Sequence, residues 1–213
     1  MSEAVTDRAA SPVNLPAAIM FTASTIAALT VLPVYAWFHD FTTAGWVWFV
    51  ILMYANGVAI TAGYHRLWAH RTYEAHWSLQ ILYMLFGSMA FQNSILIWAS
   101  GHRIHHKHVD DVHHDPYSIK RGFWFAHIGW MLRDYPSNRL DFANAKDLEA
   151  NPIVMFQHRH YLGIALFKNF AFPAIIGAFY GDPWGFMLLG GLLRLVASHH
   201  VTFCINSLAH YLG

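Results

Sequence analysis

The stretch that decides the fold is Gly101-His102-Arg103-Ile104-His105-His106-Lys107-His108. On an α-helix His102, His105 and His106 stand at i, i+3 and i+4, which brings three imidazoles onto one face. Neutral imidazole binds first-row metals well and can be oriented by a hydrogen bond to its other nitrogen. Three at this spacing form half of a metal site. The chain has 16 histidines but a single cysteine, Cys204, so thiolate clusters and an intrachain disulfide are excluded and any metal must be held by histidine and carboxylate.

Working outward, the composition belongs to a bilayer. Hydrophobic residues make up 56% of the 213 and charged residues 12%, about half of the roughly 25% typical of soluble domains. A membrane span needs about 20 mostly apolar residues. Residues 15–38 and 44–64 are free of charge, and two further spans, 161–180 and 184–210, flank the turn Gly181-Asp182-Pro183. These last two carry polar interruptions, Lys168 in one and Arg194, His199, His200 and Asn206 in the other, and are expected to face protein or an aqueous cavity in part. The expected architecture is all-α: a flexible tail over 1–14, then one domain over 15–213, with four spans and a helical cap over about 65–160. The first apolar run is too long for the core of a signal peptide and reads as an anchor.

Of the 13 Lys and Arg, 10 fall between Arg66 and Arg159, whereas the connections at 39–43 and 181–183 have none. By the positive-inside rule the N-terminus and the histidine-rich centre face the cytoplasm. No interleaving of basic and aromatic residues points to nucleic acid.

The second span runs into His65-Arg66-Leu67-Trp68-Ala69-His70. Five residues turn about 140° around a regular α-helix, so His65 and His70 serve one centre only if the helix bends or frays there. Residues 78–99 are uncharged and long enough to cross the bilayer. A crossing would separate His65 from His102 by a membrane, so this segment is expected to lie in the interface, re-enter or pack within the protein. His113, His114, His127, His158 and His160 lack paired spacing and are expected at the surface or in supporting roles. Asn206 and His210, at i and i+4 near the end of the last span, are a further candidate ligand pair.

The combination HRLWAHRTY at 65–73, AFQN at 90–93, Trp98, HRIHHKH at 102–108, Asp115-Pro116, RGFWFAHIGW at 121–130, MFQ at 155–157 and NSLAH at 206–210 resembles the integral-membrane acyl-CoA (stearoyl-CoA type) desaturases. The resemblance covers nearly everything from residue 44 onward. It implies a bent tunnel for the acyl chain and a cis double bond, commonly between the ninth and tenth carbons, introduced into a long acyl thioester, most often acyl-CoA, with O2 and two irons; zinc is a substitute in overexpressed protein. The implied iron ligands are His65, His70, His102, His105, His106 and His210, with Asn206 acting through water. Gln92, Trp98 and Thr202 match tunnel positions near the bend, and Trp130 and Arg133 match contacts to the carrier head group.

No nucleotide fingerprint is present, so electrons are expected from a separate carrier and reductase. The resemblance has departures: Ser100-Gly101 and Asp134 where animal enzymes place charged carrier contacts, Phe203 where a tryptophan is usual, and no HxxHH box after His210. Three of nine expected histidine ligands are thereby missing, which predicts a truncated or degenerate chain that is inactive or very weak alone. A membrane hydroxylase and a non-catalytic acyl-binding homologue are the alternative readings; metal transport fits less well, because its ligands belong at mid-bilayer and these clusters sit at helix ends.

Overall fold

The computed structural model describes residues 11–140 and 142–212. Four helices are long and apolar enough to cross a membrane: α1 (Leu15–Phe38), α2 (Thr43–Ala69), α5 (Pro152–Ala178) and α6 (Pro183–Leu212). Between α2 and α5 lie α3 (Trp77–Ala90) and α4 (Ile95–Lys107), followed by short helical turns that complete the cap. The described residues contain no strand. One isolated bridge joins Val13 to Arg133, and Asn14 N–H donates to the Leu132 carbonyl at 3.0 Å, so residues 11–14 lie against the cap. The rest of the tail expected over 1–14 lies outside the described residues.

Local chemistry fixes the ends of these helices. Asn14, Thr42, Asn151 and Asp182 cap α1, α2, α5 and α6, each side-chain oxygen accepting a first-turn N–H. Asn151 followed by Pro152 starts α5 nine residues before the apolar run that marks it in the sequence, because the first turns are cap and the span continues from them; a kink at His160 divides the two parts. Gly181, at φ 74°, makes the tight reversal into α6. Along α1, large apolar side chains such as Ile19, Ile26, Leu29 and Trp37 are exposed, the surface a bilayer would cover.

The uncharged segment over 78–99 is not one straight rod. α3 and α4 meet at 79°, and the corner is made by Phe91 (φ 53°) and Asn93 (φ 76°), both in the left-handed region. Ser94 caps α4, and Gln157 of α5 accepts the N–H of Ile95 at 2.8 Å. Gln157 is fully buried and also donates to Tyr64 of α2 and Ser88 of α3. One amide therefore ties α2, α3, α4 and α5 together and directs α4 back toward the end of α2. The core between them contains Tyr64, Trp68, Met84, Ile95, Leu96, Leu148 and Val154.

Candidate metal centre

α2 changes pitch as it leaves its apolar run: Thr43–Val58 is α-helical and Ala59–Ala69 is π-helical. Its i to i+5 hydrogen bonds place a residue over the one five before it. His70 N–H donates to the His65 carbonyl at 2.9 Å, and the two rings come to 4.4 Å between centroids. The helix then stops, with Arg71 left-handed (φ 53°) and Thr72 N–H and hydroxyl both donating to the Arg66 carbonyl.

Arg103 of α4 docks this end onto the second histidine box. Its guanidinium donates to the Trp68 carbonyl (2.7 Å), the Ala69 carbonyl (3.1 Å) and the Asn144 carbonyl, and meets both oxygens of Asp147 at 2.8 and 2.9 Å. Carbonyls that the end of α2 would leave unpaired are thus satisfied by the residue that follows His102.

The result is a four-histidine cluster. One ring nitrogen from each of His65, His70, His102 and His106 lies within 4.8 Å of the other three. His102 Nε2 stands 3.1 Å from His70 Nε2 and 3.0 Å from His106 Nε2. Bonds of about 2.0–2.1 Å from imidazole nitrogen to a metal need nitrogens roughly 3–4 Å apart around it, so this donor set fits one ion. An all-imidazole set suits iron, zinc, copper or nickel rather than magnesium or calcium. Burial, reinforced by the neighbouring histidines, pushes His102 down to about 2 and lowers His106, which keeps both neutral and able to bind metal at neutral pH.

His105 points elsewhere. It is buried, its Nδ1 is 2.8 Å from Asp115 Oδ1, and its ring stacks on Tyr117 at 4.2 Å. That carboxylate fixes the ring and leaves Nε2 as the free donor. The His210 ring stands 5.1 Å away, with its Nδ1 3.7 Å from Asp110 Oδ1. Asn206 lies on the π-helical turn Ile205–Ala209 just before His210, and its side-chain amide makes no hydrogen bond among the described residues. The six candidate ligands therefore divide into a group of four and a pair.

Tyr117 joins the two groups. Its hydroxyl is 3.1 Å from His102 Nδ1, and its N–H donates to Asp115 Oδ1. Burial, with the Asp115 charge, raises its pKa well above the ordinary value and keeps the hydroxyl protonated. In the sequence Asp115-Pro116 stands out only as one of the motifs shared with the desaturases, and no role is visible there for Tyr117, Arg103 or Asp147; what could have marked Asp115 and Tyr117 is position, an acid and a tyrosine within a dozen residues of His105.

Of the remaining candidates, Trp98 is the one in contact with a cluster histidine. Trp98 stacks on His102 at 4.9 Å. Gln92, at the α3–α4 corner, donates to the Thr202 hydroxyl of α6 at 3.0 Å, and its carbonyl oxygen is buried without a partner. Trp130 packs 5.1 Å from Tyr117, its indole N–H likewise buried and unpaired. Arg133 donates to the Ser11 carbonyl at 2.7 Å. Phe203 stacks on His199, which is buried and bonded to the Ala90 carbonyl at 2.8 Å, away from the cluster. Of the supporting histidines, His158 bonds to the capping hydroxyl of Ser94 and His127 to Ser207 and His200.

No family model matches the chain. Curated relatives do. It is 45% identical over 187 residues to a probable acyl-CoA desaturase of Schizosaccharomyces pombe, covering 85% of this chain and 39% of that one. It is 43% identical over 167 residues to acyl-CoA desaturase 1 of Saccharomyces cerevisiae, covering 78% and 32%. With human stearoyl-CoA desaturase the identity is 36% over 179 residues, covering 79% and 48%. The chain belongs to the acyl-CoA desaturase family. It spans about a third to a half of the length of these relatives.

Proposed function

We propose that this chain carries the acyl-binding and first metal-binding portion of an O2-dependent fatty-acyl desaturase. The observation that supports it most is the convergence of His65 and His70, at the end of membrane helix α2, with His102 and His106 on α4, in a chain related to acyl-CoA desaturases. Iron is the proposed metal, with His105 and His210, and Asn206 through water, contributing to a second ion. Such a centre supplies the oxidant that removal of hydrogen from an unactivated alkyl chain demands and that acid–base side chains cannot provide.

The protein's own residues supply position. Asp115 and Tyr117 hold His105 and His102 in fixed orientation, and Trp98 covers one face of His102 with an apolar ring. In this reading Gln92 and Thr202 bound the bend of the acyl channel and set which methylene pair, that between carbons nine and ten, lies near the metal. Trp130 and Arg133 are assigned to the head group of an acyl-CoA. The Lys and Arg distribution supports a cytoplasmic cap, where a separate electron carrier and reductase can reach it.

The test is product analysis of membranes holding the chain with iron, an acyl-CoA and an electron-donor system. A cis-monoene absent from a His102→Ala control supports the proposal. An alcohol instead of an alkene would replace it with the hydroxylase reading, and acyl binding with iron but no turnover with the non-catalytic one.

A further inference from the structure

A groove of about 650 Å³ opens on the outer side of α5, lined by Leu85, Arg159, His160, Ile164, Lys168 and Phe172 among others. It lies within the roughly 300–1,000 Å³ of small-ligand sites, and most of its wall is apolar. Its charge is one-sided. Residues 77–90 and 152–178, the helices that line it, contain no Asp or Glu, and neither do residues 183–212, which pack on α5; together these helices carry Arg159, Lys168 and Arg194.

The three cations are treated differently. Arg194 is fully buried and spends its guanidinium on the Gly190 and Met89 carbonyls and the amide oxygens of Asn56 and Asn169. Lys168, next to Asn169, is 5% exposed and has only aromatic faces for company, with Nζ 3.4 Å from the Phe172 ring centroid and 4.2 Å from that of Phe86. Arg159 is exposed at the cap end of the same helix and has no ion pair or hydrogen bond of its side chain among the described residues. His160 beside it sits at the kink where α5 passes from cap to span. Basic side chains at the head-group level, above an apolar trough that continues into the hydrocarbon depth, match an amphiphile with an anionic head.

We propose that this groove holds an anionic phospholipid of the cap-side leaflet, with its phosphate at Arg159 and His160 and one acyl chain along Ile164 and Phe172 past Lys168. The lipid supplies the negative charge that these helices lack. Gly163 faces the same groove with nothing within 4 Å of where a Cβ would stand, leaving room for the chain.

The test is native mass spectrometry of the detergent-purified chain with dioleoyl phosphatidylglycerol, dioleoyl phosphatidylcholine or oleate added at equal concentration. One phosphatidylglycerol per chain should be retained in preference to the other two. Arg159→Gln with Lys168→Met should lower its occupancy roughly tenfold. Gly163→Phe, which fills the groove and leaves the charges in place, should lower it as well, with helical content by circular dichroism unchanged in both. Equal retention of the zwitterionic lipid, preference for oleate, or survival of the adduct in both variants would overturn the assignment.

Discussion

His70 N–H donates to the carbonyl of His65 at 2.9 Å, and this i to i+5 bond is what turns two histidines on different faces of an α-helix into neighbours. The π-helical stretch Ala59–Ala69 is packed too closely to slide: a Cβ on Gly63 would lie 2.8 Å from Tyr83 Cβ. Gly63→Ala therefore overpacks the α2–α3 contact and should destabilise the protein by about 1–3 kcal/mol. Its melting temperature in detergent should fall, and metal retention at the four-histidine cluster should fall with it. Gly57→Ala on the same helix, where nothing lies within 4 Å, is the control expected to do neither.

Asp115 and Tyr117 act through the imidazoles they hold. Asp115→Asn removes the carboxylate from His105 and Tyr117→Phe removes the hydroxyl from His102 Nδ1. Each should weaken metal binding by about 10–100-fold, the usual effect of losing such a partner, while the helical spectrum stays constant. Competitive titration against a chelator measures it.

Arg103 and Asp147 form the clamp between the two histidine boxes, and its pH dependence follows from the carboxylate. The hydrogen bonds from Arg103, then its charge and that of Arg71, hold Asp147 below its ordinary value of 3.8. A depressed carboxylate stabilises the fold above its unfolded pKa and ceases to do so as pH falls through the folded one. Asp147→Asn should accordingly melt lower than the parent chain at pH 7, with the gap closing only below about pH 3.8. Arg103→Ala should cost more than Asp147→Asn at pH 7, because it also strips the Trp68 and Ala69 carbonyls of their donor.

Gln157 makes three hydrogen bonds with no exposure to solvent. Gln157→Leu leaves the Ile95 N–H and the Tyr64 hydroxyl to find other partners, at a cost of about 1–3 kcal/mol for each that stays buried and unpaired, whereas the Ser88 hydroxyl keeps its bond to the Met84 carbonyl. Thermal unfolding of Gln157→Leu, which keeps the volume, against Gln157→Ala, which loses it as well, separates lost hydrogen bonding from lost volume.

Much of this was legible in the sequence. Long apolar runs, two of them uncharged and two interrupted by Lys168 and Arg194, mark the four membrane-length helices, and the i, i+3, i+4 spacing marks His102, His105 and His106. The spacing does not reveal that His105 turns away from the other two, since that depends on Asp115 arriving from a loop. The pairing of His65 with His70 is hidden for a different reason: a π-helical register follows from the packing of Gly63 and Tyr64 on α3, not from local periodicity. The bend between α3 and α4 was expected only because the two histidine groups would otherwise lie on opposite sides of a membrane. Its cause, two left-handed residues at Phe91 and Asn93, has no strong signal in residue type. Arg103 escapes notice because its partners, two backbone carbonyls and Asp147, are distant in sequence.

Whether the four histidines hold a metal is decided by metal content, measured by mass spectrometry of the detergent-purified chain expressed with added iron and compared with His102→Ala, since His102 Nε2 lies within 3.1 Å of both His70 Nε2 and His106 Nε2. At least one tightly held transition metal per chain is expected at neutral pH, and its loss in His102→Ala. A chain that binds none, or a variant that keeps its full complement, would contradict it.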